Sequence, residues 1–166
     1  MMVMDQITKR TIYYWIIEVF SLLGLIYALA PLFVYKKLPE HSMVPIHFNI
    51  VGHPDSWGGS YHIIIYSLLS VFFYLLMSFL ERNYKILNYP IKITSNNSEA
   101  VYRLGVRLVR HLKLFVTLLF AYFANLSFGI AMGEANVNSQ YVIVLLIGGL
   151  VGSLLIFSIK MIRLKR

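Results

Sequence analysis

The chain has 166 residues, of which 58% are hydrophobic and 13% charged, and its mean hydropathy is +0.69. A soluble domain carries about 25% charged residues, and one small core cannot hide this much apolar surface, so lipid is expected to cover part of the chain. The net charge of +8 would suggest nucleic acid for a soluble protein; here the basic residues lie between apolar runs and no nucleic-acid binding is expected, while the absence of Cys excludes disulfides and thiolate metal sites.

The first apolar run, Ile12 to Val34, is long enough to cross a bilayer as a helix. Lys9 and Arg10 precede it and Ala28-Leu29-Ala30 resembles a signal-peptide cleavage site. The run exceeds the 7 to 15 residues of a signal-peptide core, so it reads as a retained span. Glu18 is its one full charge and lies about 10 Å inside the helix end. An ionised carboxylate in lipid must face the bundle or be neutralised. Tyr74, Thr117 and Ser153 are expected at similar depth, with Lys113 or Arg110 able to reach it. Without a second acid in the membrane, Glu18 reads as a structural group rather than a relay. A neutral amide keeps hydrogen-bonding capacity without a charge in lipid, so Glu18→Gln is expected to preserve folding.

The loop 38–62 follows, LPEHSMVPIHFNIVGHPDSWGGSYH. Val44, Ile46, Phe48 and Ile50 alternate with polar residues or Pro, a period-two pattern whose apolar half should pack on the helix ends. Gly52, His53-Pro54, Asp55-Ser56 and Gly58-Gly59 are turn signals. His41, His47, His53 and His62, with Glu40 and Asp55, supply enough donors for zinc, but their spacing is no established ligand pattern, so no metal or other cofactor is expected. The Gly52 turn can fold His47 back toward Asp55, which predicts an ordering contact between them.

A second span is predicted over 63–80. The connection after it holds Asn96 and Glu99, spaced as a capping box. Val101, Leu104, Leu108, Leu112 and Phe115 then form a helical apolar stripe. Arg103, Arg107 and Arg110 fall on another face, which predicts a basic amphipathic lead-in lying at the membrane surface, attracted to anionic lipid or to a cytoplasmic protein. Spans over 114–132 and 141–159 complete an all-α bundle of four helices, a single membrane domain over 1–166. Gly24 with Ala28, Gly129-x-x-x-Gly133 and Gly148-x-x-x-Gly152, with Gly149 and Ser153 offset by one, are read as close-packing sites within that bundle rather than as a dimer face.

Thirteen Lys and Arg lie in the N-terminus, second connection and tail, against two, Lys36 and Lys37, on the other side. The positive-inside rule then predicts both termini in the cytoplasm and loop 38–62 outside.

Leu38-Pro39, Pro45, His47-Phe48-Asn49, Gly52, Pro54-Asp55 and Trp57-Gly58 resemble the signature loop of a bacterial membrane-domain family of unknown function. Its pattern runs Leu-Pro, Pro-x-His-Phe-Asn, Gly-x-Pro-Asp-x-Trp-Gly. The domain also occurs at the start of Sdp-type toxin-immunity membrane proteins, which protect a cell from a secreted toxin and recruit a cytoplasmic repressor to the membrane. The likeness covers Ile12 to His62, and His47 is the only histidine in the pattern. It implies a non-enzymatic module that senses, binds or resists an extracellular peptide or lipid-borne ligand through His47, Asn49, Asp55 and Trp57. The rival reading is a metal-dependent membrane enzyme or ion-coupled transporter using His47, Asp55 and Glu18.

Overall fold

The computed structural model describes residues 11–49, 53–134 and 139–164. Four helices, α1 (Ile12–Val34), α2 (Tyr61–Arg82), α3 (Ser98–Ala131) and α4 (Ser139–Arg163), form the bundle. Each is long and apolar enough to cross a membrane, the layout of a multi-pass membrane protein. The bundle is turned inside out relative to a soluble one. Ser21, Ser67, Ser70, Thr117 and Ser127 are fully buried, while Phe33, Leu75, Leu145 and Leu155 are exposed. In lipid, bulky apolar side chains gain nothing by turning inward, and small residues that let backbones approach take the interior.

The connection between α1 and α2 departs from the all-α expectation. It contains an antiparallel hairpin of β1 (Met43–Phe48) and β2 (Pro54–Gly59). The period-two pattern is the cause, because alternate residues of a strand face opposite sides. Val44 and Pro45 are buried and Ile46 is exposed, so the alternation is broken at Pro45. The expected Gly52 turn and Ile50 lie outside the described residues, as do Lys9, Arg10, Lys165 and Arg166.

Helix α1 keeps Pro31 in its interior. Proline has no N–H, so the carbonyl of Tyr27 loses its helical donor. Asn125 of α3 supplies one, its Nδ2 donating to Tyr27 O at 2.7 Å. Ser67 of α2 donates to the neighbouring Ala28 O at 2.6 Å. The break in the backbone ladder therefore ties α1 to both neighbours.

The surface lead-in and the third span are one helix of 34 residues, about 51 Å long against a hydrocarbon layer of about 30 Å. No break separates them because Ser98 to Ala131 contains no Pro. The expected capping box does not form. Asn97, not Asn96, is the N-cap, and Glu99 pairs with Arg103 instead. The amide of Asn97 is engaged in the preceding turn, accepting from Thr94 N and donating to Lys92 O. Before that turn, Tyr89 lies over Gly105, where a Cβ would sit 2.6 Å from its hydroxyl, and donates to Tyr84 O at 2.7 Å. Burial pushes the Tyr89 phenol well above its ordinary pKa.

Helix α3 is central, packing on α1, α2 and α4, whereas the only substantial neighbour of α4 among the described residues is α3. The close approach in α4 is at Gly149, where a Cβ would collide with the Phe115 ring. Gly148, Gly152 and Gly129 have open space where a Cβ would be. The expected packing motifs Gly148-x-x-x-Gly152 and Gly129-x-x-x-Gly133 therefore face away from the bundle contacts. Gly24 does pack as expected, with Leu118 only 2.8 Å from an added Cβ.

Candidate functional site

The hairpin and the end of the bundle farthest from it each carry a cluster of polar side chains. In the hairpin, Pro45 pairs with Trp57, His47 with Ser56 and Phe48 with Pro54. Ile46 and Asp55 are thus the extra residues at two irregularities. Such bulges re-aim side chains, and here His47 Nδ1 meets Asp55 Oδ1 at 2.5 Å. This is the ordering contact expected from the turn-rich spacing. With Nδ1 held by a carboxylate, Nε2 is the nitrogen that remains for a ligand. The His47 side chain is 68% exposed.

Asn49 closes the hairpin rather than extending the pair. Its N–H donates to His53 O and its Oδ1 accepts from His53 N, both at 2.9 Å. Trp57 is half exposed on β2. His62 Nδ1 lies 2.9 Å from Gly59 O, and His41 stands apart with a positive φ of 60°. Among the described residues no three His, Asp or Glu converge as metal ligands. The hairpin is seated by Pro45, whose carbonyl accepts from Tyr66 at 3.2 Å and Ser127 at 3.4 Å. Phe48 stacks on Phe123 of α3 with centroids 5.4 Å apart.

A groove of about 630 Å³ runs beneath His47. Its walls are aromatic on the side of α2 and α3, from Tyr66, Phe120 and Phe123, and aliphatic on α4, from Ile143 to Val151. This volume lies within the range of small-molecule sites.

The second cluster joins α1, α2 and α3. Lys113 Nζ donates to Glu18 Oε2 at 2.5 Å and Glu81 Oε2 at 3.3 Å, and lies 3.5 Å from Ser78 Oγ. Tyr74 donates to Glu18 Oε1 at 2.5 Å, and Arg110 Nε to Glu81 Oε1 at 2.9 Å. Arg110 also covers the Tyr14 ring at 4.2 Å, a favourable cation–π geometry. The Lys113 side chain is 2% exposed. Two acids balance two bases, and three acceptors meet the three ammonium donors, so the cluster is a saturated ionic clasp.

Of the neighbours expected for Glu18, Tyr74 and Lys113 bond to it. Ser153 instead donates to Gly149 O within α4. The Thr117 hydroxyl is buried with no hydrogen-bond partner among the described residues. The expected basic face separates. Arg107 is exposed and Arg103 pairs with Glu99, but Arg110 is buried on Glu81. The reason is that α3 turns this polar side toward α1 and α2, where counter-charges exist. Glu81 escaped the sequence reading because it stands at the end of its apolar run. Tyr74, Ser78 and Glu81, spaced at i, i+4 and i+7 on one helical face, were the available signal. The expectation that Glu18→Gln preserves folding does not include the buried Lys113 ammonium, which takes Glu18 as an ionic partner.

No curated protein and no solved structure matches the chain. Residues 22–75, from within α1 through the hairpin into α2, match the family model described as Domain of unknown function (DUF1648), and to that extent the chain is similar to that family.

Proposed function

We propose that this membrane protein is a non-enzymatic recognition module whose hairpin, within the loop 38–62, binds an extracellular peptide or lipid-borne ligand. The observation that carries the reading is the His47–Asp55 pair at 2.5 Å. It orients an exposed imidazole on a hairpin anchored to two helices, and preorganised polar groups lower the cost of binding. The basic-residue asymmetry supports a hairpin outside and both termini in the cytoplasm, and the loop likeness supports a bacterial cell membrane. Exposed Arg107 and the C-terminal Lys160 and Arg163 suit anionic lipid, or a cytoplasmic partner, on the inner face. The loop likeness to Sdp-type immunity proteins supports protection against a secreted membrane-active toxin as the finer role. The saturated clasp around Glu18 argues for a fixed bundle rather than a transport path.

The test is a panel of membrane-active peptides and amphiphiles added to nanodisc-embedded protein, read as thermal shift. A ligand that stabilises the parent is expected to lose its effect in His47→Ala and Asp55→Asn variants of unchanged unliganded stability. Equal shifts in parent and variants contradict the reading. Orientation is checked with Cys at Lys92 and at Asn138, the latter outside the described residues. An impermeant thiol reagent on intact cells should label only the Asn138 position.

A further inference from the structure

We infer that the groove beneath His47 takes the tail of a single-chain, membrane-borne amphiphile whose head donates a hydrogen bond to His47 Nε2. This rests on the hairpin being the recognition head. The groove has one polar rim and an apolar body. His47 stands at the rim, and the α4 wall from Ile143 to Val151 descends about 12 Å along the helix. An amphiphile in the adjacent leaflet has the same order of polarity along the same axis. Val144, Ile147 and Val151 of that wall are among the exposed apolar residues of α4, so in a bilayer a tail enters sideways without crossing water.

The head chemistry follows from the tautomer. Asp55 is an acceptor, so in the neutral form of His47 the Nδ1–H faces it and Nε2 presents a lone pair. The complementary head is therefore a donor. Asp55 is also the only full charge within the two strands, which favours an ammonium head over a phosphate.

The probe is a dodecylamine carrying a diazirine near its chain end, added to protein in phosphatidylcholine nanodiscs. Saturable labelling is expected at Phe120 to Phe123 and Ile143 to Val151. Dodecylammonium should compete about tenfold better than dodecyltrimethylammonium, which keeps the charge and has no N–H donor. Gly148→Phe fills the groove at a position with no neighbour within 4 Å of its Cβ, and should cut labelling by about tenfold. Gly152→Phe, equally open but not lining the groove, should not.

Non-saturating label spread over Leu68, Leu75 and Leu155 means that bulk lipid alone fills the groove, and overturns the inference. So does labelling that survives Gly148→Phe. Equal competition by the two ammonium compounds overturns the donor-head assignment. Saturable, Gly148-sensitive labelling that is unchanged in His47→Ala upholds the tail site and overturns the hairpin as recognition head.

Discussion

Helix α3 presents one face to α1 and α2 and another to α4, and the two seams use different chemistry. The first contains Glu18, Glu81, Arg110 and Lys113, buried hydroxyls, and the Asn125 bond to the Pro31 break. The second is held by van der Waals contact, with Gly149 against Phe115 and with Ile143, Leu146, Phe157 and Met161 buried. In water the apolar seam would be the strong one. In lipid the hydrophobic drive between helices disappears, while an uncompensated charge becomes more costly. The difference teaches that polar content, not apolar area, fixes which helices stay together here.

The largest effect should come from Lys113→Met, which leaves the buried Glu81 and half-buried Glu18 carboxylates facing each other across the clasp. Removing one partner of a buried pair costs about 3–5 kcal/mol, so reversible unfolding in bicelles should show a loss of that size. A loss below about 1 kcal/mol would place the clasp among surface ion pairs. Glu18→Gln should cost less, about 2–3 kcal/mol, because the amide still accepts from Tyr74 and Lys113 keeps Glu81. Parent-like stability would restore the simpler expectation that a neutral group suffices.

The apolar seam is probed by Gly149→Leu, which overpacks Phe115 and should cost about 1–3 kcal/mol. Phe115→Ala in the same chain should recover most of it, whereas Gly148→Leu alone should cost little. Equal losses at the two glycines would mean that the α4 face is assigned wrongly. Next comes Asn125→Ala, at about 1 kcal/mol for the lost donor to Tyr27 O. Pro31→Ala returns a backbone N–H to that carbonyl, so the Asn125 loss should shrink in that background. The smallest global effect belongs to His47→Ala, within about 0.5 kcal/mol because the side chain is exposed. Its hydrogen exchange should nevertheless rise over the described hairpin residues, Pro45–Asn49 and His53–Gly59, and not in the helices.

The spans were legible because apolar length is a strong signal in a bilayer, and α1 runs over Ile12–Val34 as its composition suggests. The contact of His47 with Asp55 was legible from turn residues between them. The inward face of α3 was not. Its Leu stripe looks like a core face by the logic of water, yet Lys113 and Thr117 are the more buried residues. Only knowing that Glu18 and Glu81 stand opposite reverses that logic, and this depends on how three helices meet. The groove was equally hidden, because its walls come from the hairpin, α2, α3 and α4 together.

The most direct test of the clasp is a double-mutant cycle on Glu18 and Lys113, with unfolding measured for Glu18→Gln, Lys113→Met and the pair. Contacting charged residues should couple by about 1–3 kcal/mol, so the double variant loses clearly less than the sum of the single losses. Losses that add within about 0.5 kcal/mol would show that the two side chains do not hold the bundle together, and would contradict the account.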